Sequence, residues 1–113
     1  MPQIEEIKKL AQEFLPDVIR IRRHIHANPE LSFYEENTAQ FVEEELRKIG
    51  LKPFRMANTG VIALLEGENP AKKTIALRSE LDALPILEKT AAEYKSVHEG
   101  IMHACGHDVH TSS

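Results

Sequence analysis

Met102-His103-Ala104-Cys105-Gly106-His107-Asp108-Val109-His110 is the stretch from which the rest of the chain is read. Three histidines, the only cysteine and an aspartate fall within eight residues, and each is a first-row metal ligand or a hydrogen-bond partner of one. If residues 101–105 run extended, period-two geometry puts His103 and Cys105 on one face. Gly106 then lets the backbone turn sharply, so that His107 points back beside the thiolate. From Asp108 onward the chain can open a helix, with Asp108 placed to cap it and to sit in its positive N-terminal field. A strand end, a glycine turn and a helix start together make a site.

Taken singly, a histidine is most often structural or solvated, and a lone cysteine is a small buried hydrophobe. The cluster points instead to metal binding. Cys105 and His107 form the favoured ligand pair, because thiolate plus imidazole suits zinc, cobalt or manganese-type hydrolytic centres. Two or three ligands cannot close such a site, so others must come from elsewhere. A redox role for Cys105 is the weaker reading, since no second cysteine is present to resolve it.

At 113 residues the chain is one small domain or a piece of a larger one. Hydrophobic residues make up 42% and charged residues 28%, enough for a core beneath a soluble surface. A net charge of −4 gives no basic footprint, which argues against nucleic-acid binding. The N-terminal Met1-Pro2-Gln3-Ile4-Glu5-Glu6 has no signal pattern, and no apolar run approaches membrane-spanning length. With a single cysteine no intrachain disulfide can form, and a cytoplasmic location is expected.

Ile4, Ile7, Leu10, Ala11, Phe14 and Leu15 recur at three- and four-residue steps, an apolar stripe for packing on a helix. Pro16 begins a second helical segment or kinks one long one, and helix is expected on both sides. The pattern ends near Pro29, with His24 and His26 in the last turn. Two positions apart, they diverge by about 200° on a helix and cannot share a metal. Ser32 and Glu35 have the capping-box spacing, which starts a second helix near residue 33. Phe41, Val42, Leu46 and Ile49 form its apolar face, Glu43 to Glu45 its solvated face, and Gly50 its stop.

Thereafter short apolar runs are broken by turn residues. Residues 52–56 suit an edge strand, 57–60 a turn, and 61–65 a strand that returns as a second one over 74–77 after a turn at 67–70. This predicts an α/β layer structure with a hairpin over 61–77. The second strand leads into Arg78-Ser79-Glu80-Leu81-Asp82, where Glu80 and Asp82 share a face if extended. Ligand sites form at the carboxyl ends of strands in such sheets. Asp82 can hold a ligating imidazole in its correct tautomer or orient a metal-held water. Residues 88–100 read as a loop, with Tyr94 packing and His98 exposed.

Four stretches, Arg22 to Ser32, Thr59 to Ala63, Arg78 to Ile86 and Gly100 to Asp108, occur in the order and spacing of a known family. The chain resembles the N-terminal part of the N-acyl-amino-acid amidohydrolases, the hippurate hydrolase and indole-acetyl-amino-acid hydrolase branch of the aminoacylase and carboxypeptidase metallopeptidases. The resemblance covers residues 18 to 113. It implies part of a zinc-peptidase-like α/β sandwich, two N-terminal helices followed by strands of a mixed sheet, with a lid or dimerisation domain inserted later. It also implies two divalent metal ions (Zn, Mn, Co or Ni), a small N-acyl amino acid or peptide as substrate, and a homo-oligomer for the complete enzyme. Cys105 and His107 correspond to metal ligands, and Asp82 to the aspartate that supports the site. Where related peptidases place a histidine ligand two residues earlier, this chain has Glu80, which is not carried over as a ligand.

The family's general-base glutamate and its remaining ligands would follow residue 113. Residues 1–113 are therefore read as an incomplete N-terminal portion of the catalytic domain, without the lid. Taken alone, they are expected to bind metal weakly, to hydrolyse little, and to associate through apolar surface that later strands would cover. A truncated, non-catalytic metal- or partner-binding module is the alternative.

Overall fold

The computed structural model describes residues 2–113; Met1, part of the N-terminal stretch without a signal pattern, lies outside them. The element order is α1 (Pro2–Ala27), α2 (Glu36–Lys48), β1 (Phe54–Met56), β2 (Gly60–Ile62) and α3 (His107–Ser112). Helix α1 runs unbroken through Pro16, which settles the choice between one helix and two. Its apolar stripe is not buried: Ile7 is 65% and Phe14 57% exposed. Only the last turn, at Ile25 and His26, sinks into the interior.

Helix α2 starts at Glu36, three residues later than the spacing of Ser32 and Glu35 predicts. Ser32 is exposed and caps nothing. The Glu30 carboxylate does the capping instead, accepting the backbone N–H of Thr38 at 2.6 Å and of Asn37 at 3.3 Å, together with the Thr38 hydroxyl at 2.7 Å. A longer side chain reaching from outside the helix places negative charge at the positive helix end, as a nearby serine would place a neutral oxygen. Glu35 is buried instead, and accepts the Thr59 hydroxyl at 2.7 Å.

At the other end, Gly50 at φ +92° closes α2. Its N–H reaches Arg47 O at 3.0 Å and the Leu51 N–H reaches Leu46 O at 3.1 Å, the paired bonds of a Schellman cap. The acidic run is not purely a solvated face. Glu43 joins Arg55 of β1, and Glu45 takes both terminal guanidinium nitrogens of Arg20 at 3.0 and 3.1 Å, tying α2 to its neighbours. Glu44 alone is exposed.

The strand pairing differs from the expected hairpin. β1 and β2 pair antiparallel, Phe54 opposite Ile62 and Met56 opposite Gly60, around the predicted turn, in which Ala57 and Asn58 take positive φ. The second strand expected at residues 74–77 does not form, and Leu77 is 97% exposed. A strand exists only through a partner's N–H and C=O groups, and among the described residues none faces this run. Short bridges do form farther along. Ala83 pairs parallel with Leu31, and Leu84 antiparallel with Met102 through two bonds of 2.9 Å. Residues 83–84 thus lie between both partners, a small mixed arrangement that carries Glu80 to Asp82 beside the 102–107 turn.

Few apolar side chains are buried: Ile25, Ala39 and Ala83, with Pro29. The interior is otherwise polar, containing His26, Glu35, Thr38, Thr59, His103, Asp108 and Ser112. Because Gly50 occupies the left-handed region with open space around it, Gly50→Ala should cost about 1 kcal/mol of unfolding free energy. Gly67→Ala, also in open space but without a positive φ, should change stability by less than about 0.5 kcal/mol; urea unfolding followed by circular dichroism distinguishes the two.

Candidate metal centre

Gly106, at φ +120°, makes the sharp turn into α3 that the sequence calls for. Asp108 does not cap the helix. Its side chain points into the interior at 1% exposure and accepts Arg22 Nε and His26 Nδ1, each at 2.9 Å. An unpaired buried carboxylate is far costlier than a free helix N–H is to solvate, so the side chain goes where two donors meet it.

His107, one residue earlier, turns to the segment after the bridgeless 74–77 run. Its Nδ1–H donates to the Asp82 carbonyl at 2.9 Å, with Asp82 Oδ1 at 3.1 Å, and its Nε2 lies 2.9 Å from Glu80 Oε2. Glu80, Asp82 and His107 together offer ligand atoms that all lie within 4.8 Å of one another, half-buried rather than sealed. Backbone anchoring of Nδ1 selects the tautomer whose Nε2 lone pair is free. That lone pair faces a carboxylate oxygen, a contact that needs a proton or a cation between the two atoms. One imidazole nitrogen with carboxylate oxygens is a donor set that zinc or manganese accepts, so the residues present fit a divalent ion.

Of the residues singled out from the sequence, Asp82 and His107 are brought together. Cys105 does not join their group: it is exposed and lines a separate cavity of about 290 Å³, whose walls include His26, Glu88, Tyr94 and His103. Glu80, to which the resemblance gives no ligand role, belongs to the group. Its two-residue spacing from Asp82 was the signal for it. His103 is buried with its Nε2 unpartnered, while His98 and His110 are exposed. His24 stacks on Phe41 at 4.0 Å between ring centres, and Tyr94 packs against the guanidinium groups of Arg22 and Arg23, as a loop-packing residue.

Burial alone would raise the Asp108 carboxyl; the hydrogen bond from His26 and the charge of Arg22 outweigh it and hold the group below its ordinary value. Glu88 behaves likewise: burial opposes its charge, and bonds from Thr90, Ser96 and His26 prevail. The His103 imidazole is pushed down by burial.

Residues 76–113 match the model of peptidase family M20/M25/M40. The N-acyl-L-amino acid amidohydrolase of Geobacillus stearothermophilus is 52% identical over 96% of this chain and 29% of its own length. The hippurate hydrolase of Campylobacter jejuni is 46% identical over the whole chain and 28% of its own length. The crystal structure of the Bacillus subtilis YXEP protein, described as a dinuclear metal binding peptidase from the M20 family, superposes with a TM-score of 0.84 at 39% identity, over 89% of this chain and 29% of that one. The chain is similar to part of these M20 proteins and has their α/β fold. It spans about 29% of the length of the curated relatives it matches.

Both carboxyls hold their protons less tightly folded than unfolded, so their stabilisation is complete above their ordinary values of 3.8 and 4.5 and is lost as pH falls through the lowered ones. His103 also binds its proton less tightly when folded, so stability declines once pH drops below 6.5. Thermal melts followed by circular dichroism should therefore shift downward in two stages, first below pH 6.5 and again below about pH 4.5, and His103→Gln should remove the first. A melting temperature unchanged from pH 7 to pH 5 would contradict the assignment.

Proposed function

We propose that the protein carrying this chain is a metal-dependent amidohydrolase that cleaves the amide bond of N-acyl amino acids or small peptides. The observation that carries this reading is the His107 ring, fixed by the Asp82 carbonyl with its Nε2 toward Glu80, in a chain similar to part of the M20 proteins. The names of two relatives, an N-acyl-L-amino acid amidohydrolase and a hippurate hydrolase, support the substrate class.

In this reading Cys105 and His107 are metal ligands, and Asp82 is the residue that orients His107. Divalent ions, when bound, supply Lewis acidity that polarises the amide carbonyl and lowers the pKa of a water molecule to about 7. The chain's own contribution is positional. Asp82 fixes the imidazole tautomer through its carbonyl and keeps its carboxylate 3.1 Å from the same nitrogen. Gly106 makes the turn between Cys105, which lines its own cavity, and His107, which faces Glu80 and Asp82. Glu80 adds an oxygen donor whose contact with Nε2 supports a place in the ligand set. Glu80 and Asp82 line one edge of an open cleft of about 900 Å³.

The general base and the remaining ligands expected from the family are not among residues 1–113. The 113-residue polypeptide alone should bind metal weakly and hydrolyse N-acyl amino acids at no enzyme-like rate. The complete enzyme is proposed to be cytoplasmic and homo-oligomeric; among the described residues no helix is long and apolar enough to cross a membrane.

In the complete enzyme, Cys105→Ala and His107→Ala should each lower hydrolysis of N-acetyl or N-benzoyl amino acids by roughly 100-fold or more, with loss of bound metal by native mass spectrometry. His24→Ala should leave metal content intact. Full metal occupancy in the Cys105 variant would remove Cys105 from the ligand set. Activity that survives chelation but not alkylation would replace the metal mechanism with thiol chemistry.

A further inference from the structure

Helix α3 has six residues and no side-chain cap, well short of the roughly 12–15 residues at which an isolated helix becomes even marginal in water. Its orientation must come from outside contacts. Two of these, His107 to the Asp82 carbonyl and the Thr111 hydroxyl to the Glu80 carbonyl at 2.8 Å, hold it to the 80–82 segment, the other half of the metal group. Its side-chain anchor to α1 is Asp108, through Arg22 and His26.

His26 is more than a packing residue there. Its side chain is 5% exposed, and each ring nitrogen meets a carboxylate, Nδ1 at Asp108 Oδ2 and Nε2 at Glu88 Oε1, 3.0 Å away. Glu88 in turn accepts the Ser96 N–H at 2.9 Å and the Thr90 hydroxyl, so the 88–96 loop is drawn into the same row. The Val97 N–H closes that loop onto Ala27 O at 2.9 Å. The row Glu88, His26, Asp108 runs from the loop through α1 to the residue adjoining His107. Arg22 braces the row from the side. It also walls the cavity onto which Cys105 opens.

We propose that His26 is a positioning residue for the metal turn: with Arg22 and Glu88 it acts through Asp108 to fix α3 so that His107 presents Nε2 toward Glu80. His26 touches neither metal nor substrate. Because Asp108 follows His107 in one helical turn, freeing the first swings the second. The inference rests on the metal reading of His107 only where metal affinity is the readout, and the fixing of α3 is measurable without it.

Cobalt(II) titration and amide hydrogen exchange on the chain test it together. His26→Ala and Asp108→Ala should weaken cobalt binding at least tenfold and lower protection of the His110 and Ser113 amides at least tenfold, with α2 amides unchanged. Asp108→Asn keeps an acceptor oxygen for both donors and should stay within threefold of the unaltered chain in both measures, as should His24→Ala. Cobalt affinity and α3 protection both unaltered in His26→Ala overturn the proposal, and cobalt affinity alone unaltered does the same. If the unaltered chain takes up no cobalt yet His26→Ala still frees α3, the clamp stands and the metal reading falls. Should His26→Ala also lose α2 protection, Glu88→Ala, which removes the partner of His26 Nε2 and leaves His26 and Asp108 in place, decides by the same two measures: a loss in both supports the clamp, and no change in either overturns it.

Discussion

One buried carboxylate ties the last helix of this chain to the first. Asp108 can be almost wholly removed from water only because Arg22 and His26 meet it; leaving such a group without a partner would cost about 3–5 kcal/mol. Those two donors sit one turn apart on α1, so satisfying Asp108 fixes the end of α1, the course of the 106–108 turn and the position of the helix that follows. The remaining contacts of the site are arranged around that joint.

The interior it anchors is held by directional bonds more than by apolar burial. Ile25, Ala39 and Ala83 are too few and too small to hold a domain of this length, whereas Glu30, Glu88 and Asp108 each collect two or more donors and Glu35 takes the Thr59 hydroxyl. Hydrogen bonds of this kind contribute about 1 kcal/mol each in net terms, and more when one partner is charged, but they define angles that hydrophobic contact leaves free. Apolar surface is correspondingly left outward along α1 and over residues 64–77, where Leu65 and Ile75 are mostly exposed. An outward apolar surface of that extent favours association with other polypeptide.

Local pattern carried the sequence reading a long way. Periodicity in residues 4–25 and 36–48 specifies the helices, Gly50 their boundary, and the turn at Gly106 the start of the last one. Asp82 and His107 do meet, but through the bridges at Ala83 and Leu84 rather than at the end of the strand expected over 74–77. What went astray depended on long-range partners. Glu30 outcompetes Ser32 as a cap because a carboxylate six residues upstream of the helix can fold back, which no local window registers. Residues 74–77 look like a strand by composition, yet pairing requires a neighbour that the described chain does not offer. Asp108 reads as a cap until the donors on α1, more than eighty residues away, are in view. Cys105 lines a cavity apart from Glu80, Asp82 and His107, and spacing alone does not fix which way its sulfur faces.

Glu30 works at both of its ends. Its carboxylate caps α2 while its own carbonyl receives the Ala83 N–H at 2.8 Å, beside the bridge that seats the segment bearing Glu80 and Asp82. A shorter aspartate would keep the second bond and forfeit the reach of the first. In a survey of tolerated substitutions such a position would look as restricted as one at the reaction centre, and intolerance at residue 30 is a signature of architecture rather than of chemistry.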